Sequence, residues 1–187
     1  MDGLRIAVFI CGILTIGMVS VTLGVPYSLV SCNFKQITFN FGFLGLHALV
    51  TDESGNQENE ILYTNSDLPS SIAGKLSSLS IPSFALLILS TILFGVVFFV
   101  LAFRLVDPNA GLSSMSISAT LCIAVGFALI VAMETPGAEL TTYFFSMSNE
   151  TVSPTCALNT GGSMLIAGMV GAFFLTFGLV WMWRREK

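Results

Sequence analysis

The chain has 187 residues, of which 54% are hydrophobic and only 10% charged, with a formal net charge of -4. A water-soluble domain carries about 25% charged residues, so that class is excluded. The 7 basic residues form no run and no aromatic-interleaved patch, which excludes a nucleic-acid surface.

The first long apolar stretch runs from Ile6 to Val25. A helix needs about 20 apolar residues to cross the hydrocarbon of a bilayer. The stretch exceeds the core of a signal peptide, about 7–15 residues, and ends without a small-residue cleavage pattern, so it reads as a retained span. Gly24-Val25-Pro26-Tyr27 closes it with a proline break and an interfacial tyrosine. Gly17, Ser20 and Gly24 share one of its faces, and such small-residue seams let membrane helices approach closely.

The connection that follows has strand character. From Lys35 to Phe43, Ile37, Phe39, Phe41 and Phe43 alternate with Gln36, Thr38, Asn40 and Gly42, the period of a half-buried strand. This phenylalanine row either lies on the helix ends or is offered to a partner. Leu46 to Thr51 and Glu60 to Thr64 flank a polar segment and predict a hairpin with a loose loop. Leu68 to Ser80 reads as a helical lead-in, and Pro82 suits the first turn of the second span.

The second stretch, Phe84 to Phe103, is joined to the third, Leu112 to Met133, through the turn residues Asp107-Pro108-Asn109. So short a link predicts antiparallel neighbours. The third connection carries Pro136, the aromatic cluster Tyr143, Phe144 and Phe145, and the one glycosylation sequon, at Asn149. The fourth stretch runs from Met164 to Trp183. Its Gly168, Gly171 and Gly178 share a face expected to pack on the seam of the first span, and Trp181, Trp183, Arg184 and Arg185 form an interfacial anchor. With their flanks the spans are about 5–27, 82–104, 112–134 and 162–183 of one membrane domain, 1–187. The outer segments are then 28–81 and 135–161, and the inner turn is 105–111.

Charge orients the bundle. Arg5, Arg104, Arg184, Arg185 and Lys187 fall on one side of the membrane. Lys35 and Lys75 fall on the other, with Asp52, Glu53, Glu58, Glu60, Asp67, Glu139 and Glu150. The positive-inside rule puts both termini and the short turn in the cytoplasm, which leaves Asn149 outside and open to glycosylation at the plasma membrane. Cys11 and Cys122 lie within spans and read as packing residues. Cys32 and Cys156 both face the oxidising side, one in each outer segment, which predicts a loop-to-loop disulfide. The absence of a C-x-x-C pair argues against the four-helix thiol oxidoreductases.

Chemistry is sparse. His47, the lone histidine, has no ligand at metal spacing. No span centre holds an ionisable group, and no phosphate loop, nucleophile elbow or paired intramembrane carboxylate is present. No catalytic, metal or cofactor site is expected.

The order of features resembles the claudin superfamily, which spans claudins, peripheral-myelin-type proteins and the regulatory subunits of calcium channels and AMPA receptors. The resemblance rests on Val25-Pro26-Tyr27, on Gly45-Leu46-His47 beside the family's Gly-Leu-Trp signature, and on the run from Ile61 to Pro69. The chain departs from the family at His47, which stands where the tryptophan belongs. It also lacks the two cysteines that clasp the third and fourth strands. The resemblance implies an all-α membrane bundle of four transmembrane helices, left-handed, with a small extracellular β-sheet. Two functions follow from it: an auxiliary subunit of a channel, receptor or other membrane complex, or a cell–cell junction protein meeting its own kind through the outer loops. The short cytoplasmic mass and the C-terminal Arg185-Glu186-Lys187, unlike the scaffold-binding end of junctional claudins, favour the first. Large aromatics mark interaction surfaces, so Phe39, Phe41, Phe43, His47, Tyr143, Phe144 and Phe145 are the expected partner contacts.

Overall fold

A computed structural model describes residues 2–25, 28–52, 55–65, 67–103, 109–146 and 153–185. Four apolar helices are long enough to cross a membrane: α1 (Asp2–Gly24), α2 (Ser70–Ala102), α3 (Ala110–Ala132) and, last in the chain, α5 (Thr160–Arg185). After Met133, α3 is continued by α4 (Glu134–Ser146). The spans close into a ring, α1 packing on α5 and α2, and α3 on α2 and α5. This is a multi-pass membrane protein.

The buried positions explain the packing. In α1 they are Val8, Gly12, Thr15, Val19 and Thr22, and in α2 they run Ala73, Leu76, Ser80, Ser83, Leu87, Ser90, Phe94, Val97. Steps of three and four alternate in both. A repeat of seven is the period at which helices wrap with a left-handed twist. In α2 the repeat passes through Pro82 without a phase change. The lead-in and the span therefore fuse into one helix of 33 residues, about 50 Å long, with Pro82 inside it and not in a first turn.

The glycine seam is half as expected. On α5, Gly168 faces Met18 and Val19, Gly171 faces Thr15, and a Cβ at Gly178 would run into Val8. On α1, however, Ser20 is exposed, and a Cβ at Gly17 or Gly24 would meet nothing within 4 Å. Gly17, Ser20 and Gly24 thus point away from the bundle. They have the same three-four spacing as the buried stripe, on the opposite face.

A second layer caps one end of the bundle. It contains β1 (Val30–Phe34), β2 (Ile37–Phe41), β3 (Gly45–Asp52), β4 (Gly55–Leu62) and β5 (Thr155–Leu158). They form one antiparallel sheet in the order β4-β3-β2-β1-β5. The alternating run read as one strand begins at Ile37, after a Lys35–Gln36 turn, and ends at Phe41. The expected hairpin is there as β3–β4, but its second strand starts at Gly55 and not Glu60, ends at Leu62 and not Thr64, and pairs out to Asp52 and Gly55. β1, α4 and β5 are additions that the sequence reading lacked.

Candidate partner-binding surface

Cys32 and Cys156 are bonded, and they are direct neighbours across the β1–β5 ladder. The bond ties the two outer connections together across 124 residues of chain. Backbone bonds reinforce this corner: Asn159 N–H donates to the Leu29 carbonyl at 3.0 Å and Gly161 N–H to the Ser28 carbonyl at 2.8 Å. The Thr22 hydroxyl, from the end of α1, donates to the Gly161 carbonyl at 3.1 Å. Of the first donors of α5, which have no partners within their own helix, Gly161 N–H is thereby met by the chain leading into β1, and Thr160 N–H by the Asn159 side-chain oxygen at 2.7 Å.

The aromatic residues expected at a partner interface are instead the core of the cap. Phe39, Phe41 and Phe43 are 6%, 0% and 2% exposed. Tyr143, Phe144 and Phe145 are half-buried on α4, which lies against the sheet as a lid. The Phe39 ring stacks on Phe144 at 5.4 Å between centroids, and Phe34 meets Phe145 at 4.5 Å. Gly137 lets α4 come this close, since a Cβ there would press on the Phe41 ring and the Cys32 sulfur. Phe39, Phe41 and Phe43 are therefore core and not an exposed contact surface, because α4 supplies the apolar cover that the sheet needed; Tyr143, Phe144 and Phe145 pack on that core while remaining half-exposed.

The sheet's other face is polar and outward. Cross-strand pairing puts Ala157, Ser31, Asn40, His47 and Glu60 in one row, and Thr155, Asn33, Thr38, Leu49 and Glu58 in the next. Asn159 donates to Asn40, the middle residue of the first row, at 3.1 Å. His47, the remaining predicted contact, is half-buried in this row opposite Glu60. Gln57, Glu58, Asn59 and Glu60 are exposed along β4, an edge of the sheet. An edge strand is where a sheet can accept a further chain, and here that edge carries negative charge.

Two further features lie outside the sheet, one beside the cap and one in the half of the bundle away from it. Lys75 of α2 reaches Glu139 of α4 at 2.8 Å, a solvent-exposed pair that contributes little. Between α3 and α5, Ser116 and Thr176 hydroxyls lie 2.6 Å apart, and Thr120 is 2.9 Å from Thr176. These bonds close on themselves and pin the two helices together. Among the described residues no group of three His, Cys, Asp or Glu side chains is placed to hold a metal. Asn149 lies outside the described residues. The β4 edge had a signal in the sequence, the Gln57-Glu58-Asn59-Glu60 run, of which the first three residues read as loop and only Glu60 as the start of a strand. Comparison with protein-family models finds no match for this chain, and a search of curated proteins finds none either.

Proposed function

We propose that the chain is a non-catalytic protein of the plasma membrane that works through protein–protein contacts, as an auxiliary subunit beside a channel, receptor or other membrane complex. In this reading it is a divergent relative of the claudin superfamily, with both termini cytoplasmic and the sheet outside the cell. Arg5, Arg184 and Arg185, at the end of the bundle away from the sheet, support that orientation. So does the disulfide in the cap, because such bonds persist in oxidising compartments. Asn149 then carries a glycan, and glycosidase treatment shifts the mobility of the wild type but not of Asn149→Gln. A glycosidase-insensitive wild type, with a terminal tag reachable from outside intact cells, removes the orientation.

The observation that carries the reading is the exposed, acidic outer strand β4 of the sheet. Antiparallel pairing of two β4 edges would bring the Glu58 and Glu60 carboxylates of two copies together, and like charges opposite one another destabilise a ladder. The edge therefore suits a different protein with a basic ectodomain surface. Charge complementarity of this kind mainly sets on-rate and partner choice. Native purification of the full chain should recover one large membrane protein in fixed ratio. Glu58→Lys with Glu60→Lys should lose it while expression and thermal stability stay unchanged. Recovery of copies of the chain alone, enriched at cell contacts, decides for the junction reading.

A further inference from the structure

Among the described residues of the cap, two large hydrophobic side chains stand exposed: Leu44 at 57% and Leu62 at 46%. They are neighbours in space. Leu62 is the ladder partner of Gly45, and Tyr63 N–H donates to the Leu44 carbonyl at 3.1 Å. Gly42 N–H closes the turn onto the Gly45 carbonyl at 2.9 Å. A Cβ at Gly45 would collide with the backbone of Ile61 and Leu62, so the two chain segments touch here and hold Leu44 in place.

The height of this turn is set by the residue before Leu44. The Phe43 ring is 5.0 Å from the Phe84 ring of α2. Counting about 30 Å of hydrocarbon back from Phe103, at about 1.5 Å per residue, arrives at about residue 83. Phe84 is thus at the edge of the bilayer core, and Leu44 follows Phe43, whose ring touches Phe84. Ile81 and Ile88 lie one helical turn to either side of Phe84 and are exposed, at 59% and 38%. They belong to the lipid-facing surface of α2, and the Phe43–Phe84 contact seats the turn that carries Leu44 on the same helix.

We propose that Leu44 and Leu62 insert into the leaflet at the sheet end and anchor the β3–β4 side of the cap to lipid. Lipid is the occupant because the turn that carries the pair is seated on α2 at the edge of the hydrocarbon, at the level of the exposed Ile81 and Ile88, while the alternate positions that precede Leu62 along β4, Glu60 and Glu58, are charged and lie farther along the strand. The anchor rests on the four-span arrangement and on no particular partner.

The test uses the full chain with Cys11→Ala and Cys122→Ala, its disulfide intact, in phosphatidylcholine vesicles. Nitroxide labels are placed singly at Leu44→Cys, Leu62→Cys, Glu58→Cys and Ile92→Cys. Collision with oxygen, which concentrates in hydrocarbon, is compared with collision with a water-soluble nickel chelate. Burial of an aliphatic side chain is strong enough to hold the turn down in most molecules, so the oxygen-to-nickel ratio at 44 and 62 should exceed that at 58 by about tenfold and approach that at 92. A ratio at 44 equal to that at 58 overturns the anchor. An aqueous reading at 92 removes the bilayer from beside Phe84, and the anchor with it. Hydroxyl-radical footprinting of the unsubstituted chain in lipid nanodiscs needs no variant: Leu44 and Leu62 should be protected, and oxidation of both at the rate of a solvated leucine is equally fatal.

Discussion

The two layers of this molecule place the same residue types on opposite sides. In the bundle, hydroxyls go inside: Thr15, Thr22, Ser83, Ser90 and Ser116 are fully buried, and Thr15 and Ser90 bond the carbonyls of Cys11 and Leu87 at 2.7 and 2.8 Å. Many of its aromatics go outside, among them Phe99, Phe103, Phe173, Phe174 and Phe177. In the cap the order is reversed, with Phe39, Phe41, Phe43 and Tyr63 buried and the outward rows polar. The solvent accounts for the reversal. Lipid tails are as apolar as leucine, so spans meet through close packing and satisfied hydroxyls. The cap meets water, and there burial of apolar area is the main driving force.

The strongest way to break this comparison is to truncate one phenylalanine in each layer. Phe41 is fully buried between the sheet and α4, and Phe41→Ala should cost about 3–5 kcal/mol. Phe173 is 63% exposed on the face of α5 turned away from the bundle, and Phe173→Ala should change stability by less than about 1 kcal/mol. Thermal unfolding in one detergent reads both. Equal losses would mean that the two layers are built alike.

Next in size is the staple. Closing a long loop is worth about 2–5 kcal/mol. Cys32→Ser and Cys156→Ser should each lose that amount, and the double variant no more than either, since all three remove one bond. Additive losses, read as the fraction monodisperse after heating, would show that each thiol acts separately.

How far the sequence could be read differs between the layers for the same reason. The number of spans was legible, because about 20 apolar residues in a row have few other uses. Their rotation was not. Gly17, Ser20 and Gly24 have the spacing of a packing seam, and only the partner helix decides that Thr15, Val19 and Thr22 face inward instead. In the cap, the alternation of Ile37, Phe39 and Phe41 gave away β2, because one face is wet and the other dry. What hid the destination of the aromatics was α4. Pro136, Gly137 and the β-branched Thr141 and Thr142 argue against a helix locally, and packing against the sheet overrides them. The burial of Phe39, Phe41 and Phe43 was therefore not legible, while the disulfide was. Cysteine pairing followed from which side of the membrane each thiol occupies, which span counting already supplies.

The two faces of the glycine reading sharpen the comparison within the bundle. Gly178→Leu forces a side chain into Val8 and should cost about 1–3 kcal/mol or more. Gly17→Leu adds a side chain where nothing lies within 4 Å, and it should be neutral or slightly stabilising through helix propensity. Measured together, they separate a seam that packs from one that only has its spacing. If Gly17→Leu is instead the damaging change in lipid and harmless in detergent, the outward stripe is covered by another helix in the membrane.

The smallest effect concerns how the cap turns its corners. Lys35 has φ 51°, the one non-glycine residue with positive φ among those described, and it sits in the two-residue turn between β1 and β2. A side chain in this region costs about 1–2 kcal/mol, and glycine removes the cost while losing about 0.5–1 kcal/mol to its greater freedom when unfolded. Lys35 also holds its ammonium 5.3 Å from the centre of the Phe34 ring, a contact worth about 0.5–1 kcal/mol at an exposed site. These terms nearly offset one another, so Lys35→Gly should lie within about 0.5 kcal/mol of the wild type. Lys35→Ala keeps the backbone cost and loses the ring contact, and it should fall by about 0.5–1 kcal/mol. Lys35→Val adds a branched Cβ to the left-handed backbone and should fall furthest. The ranking Gly, Ala, Val is the readout, by thermal unfolding in a single detergent. If Val is tolerated as well as Gly, the turn relaxes out of the left-handed region, and the corner is held by the Phe34–Phe145 contact beside it and not by its own backbone.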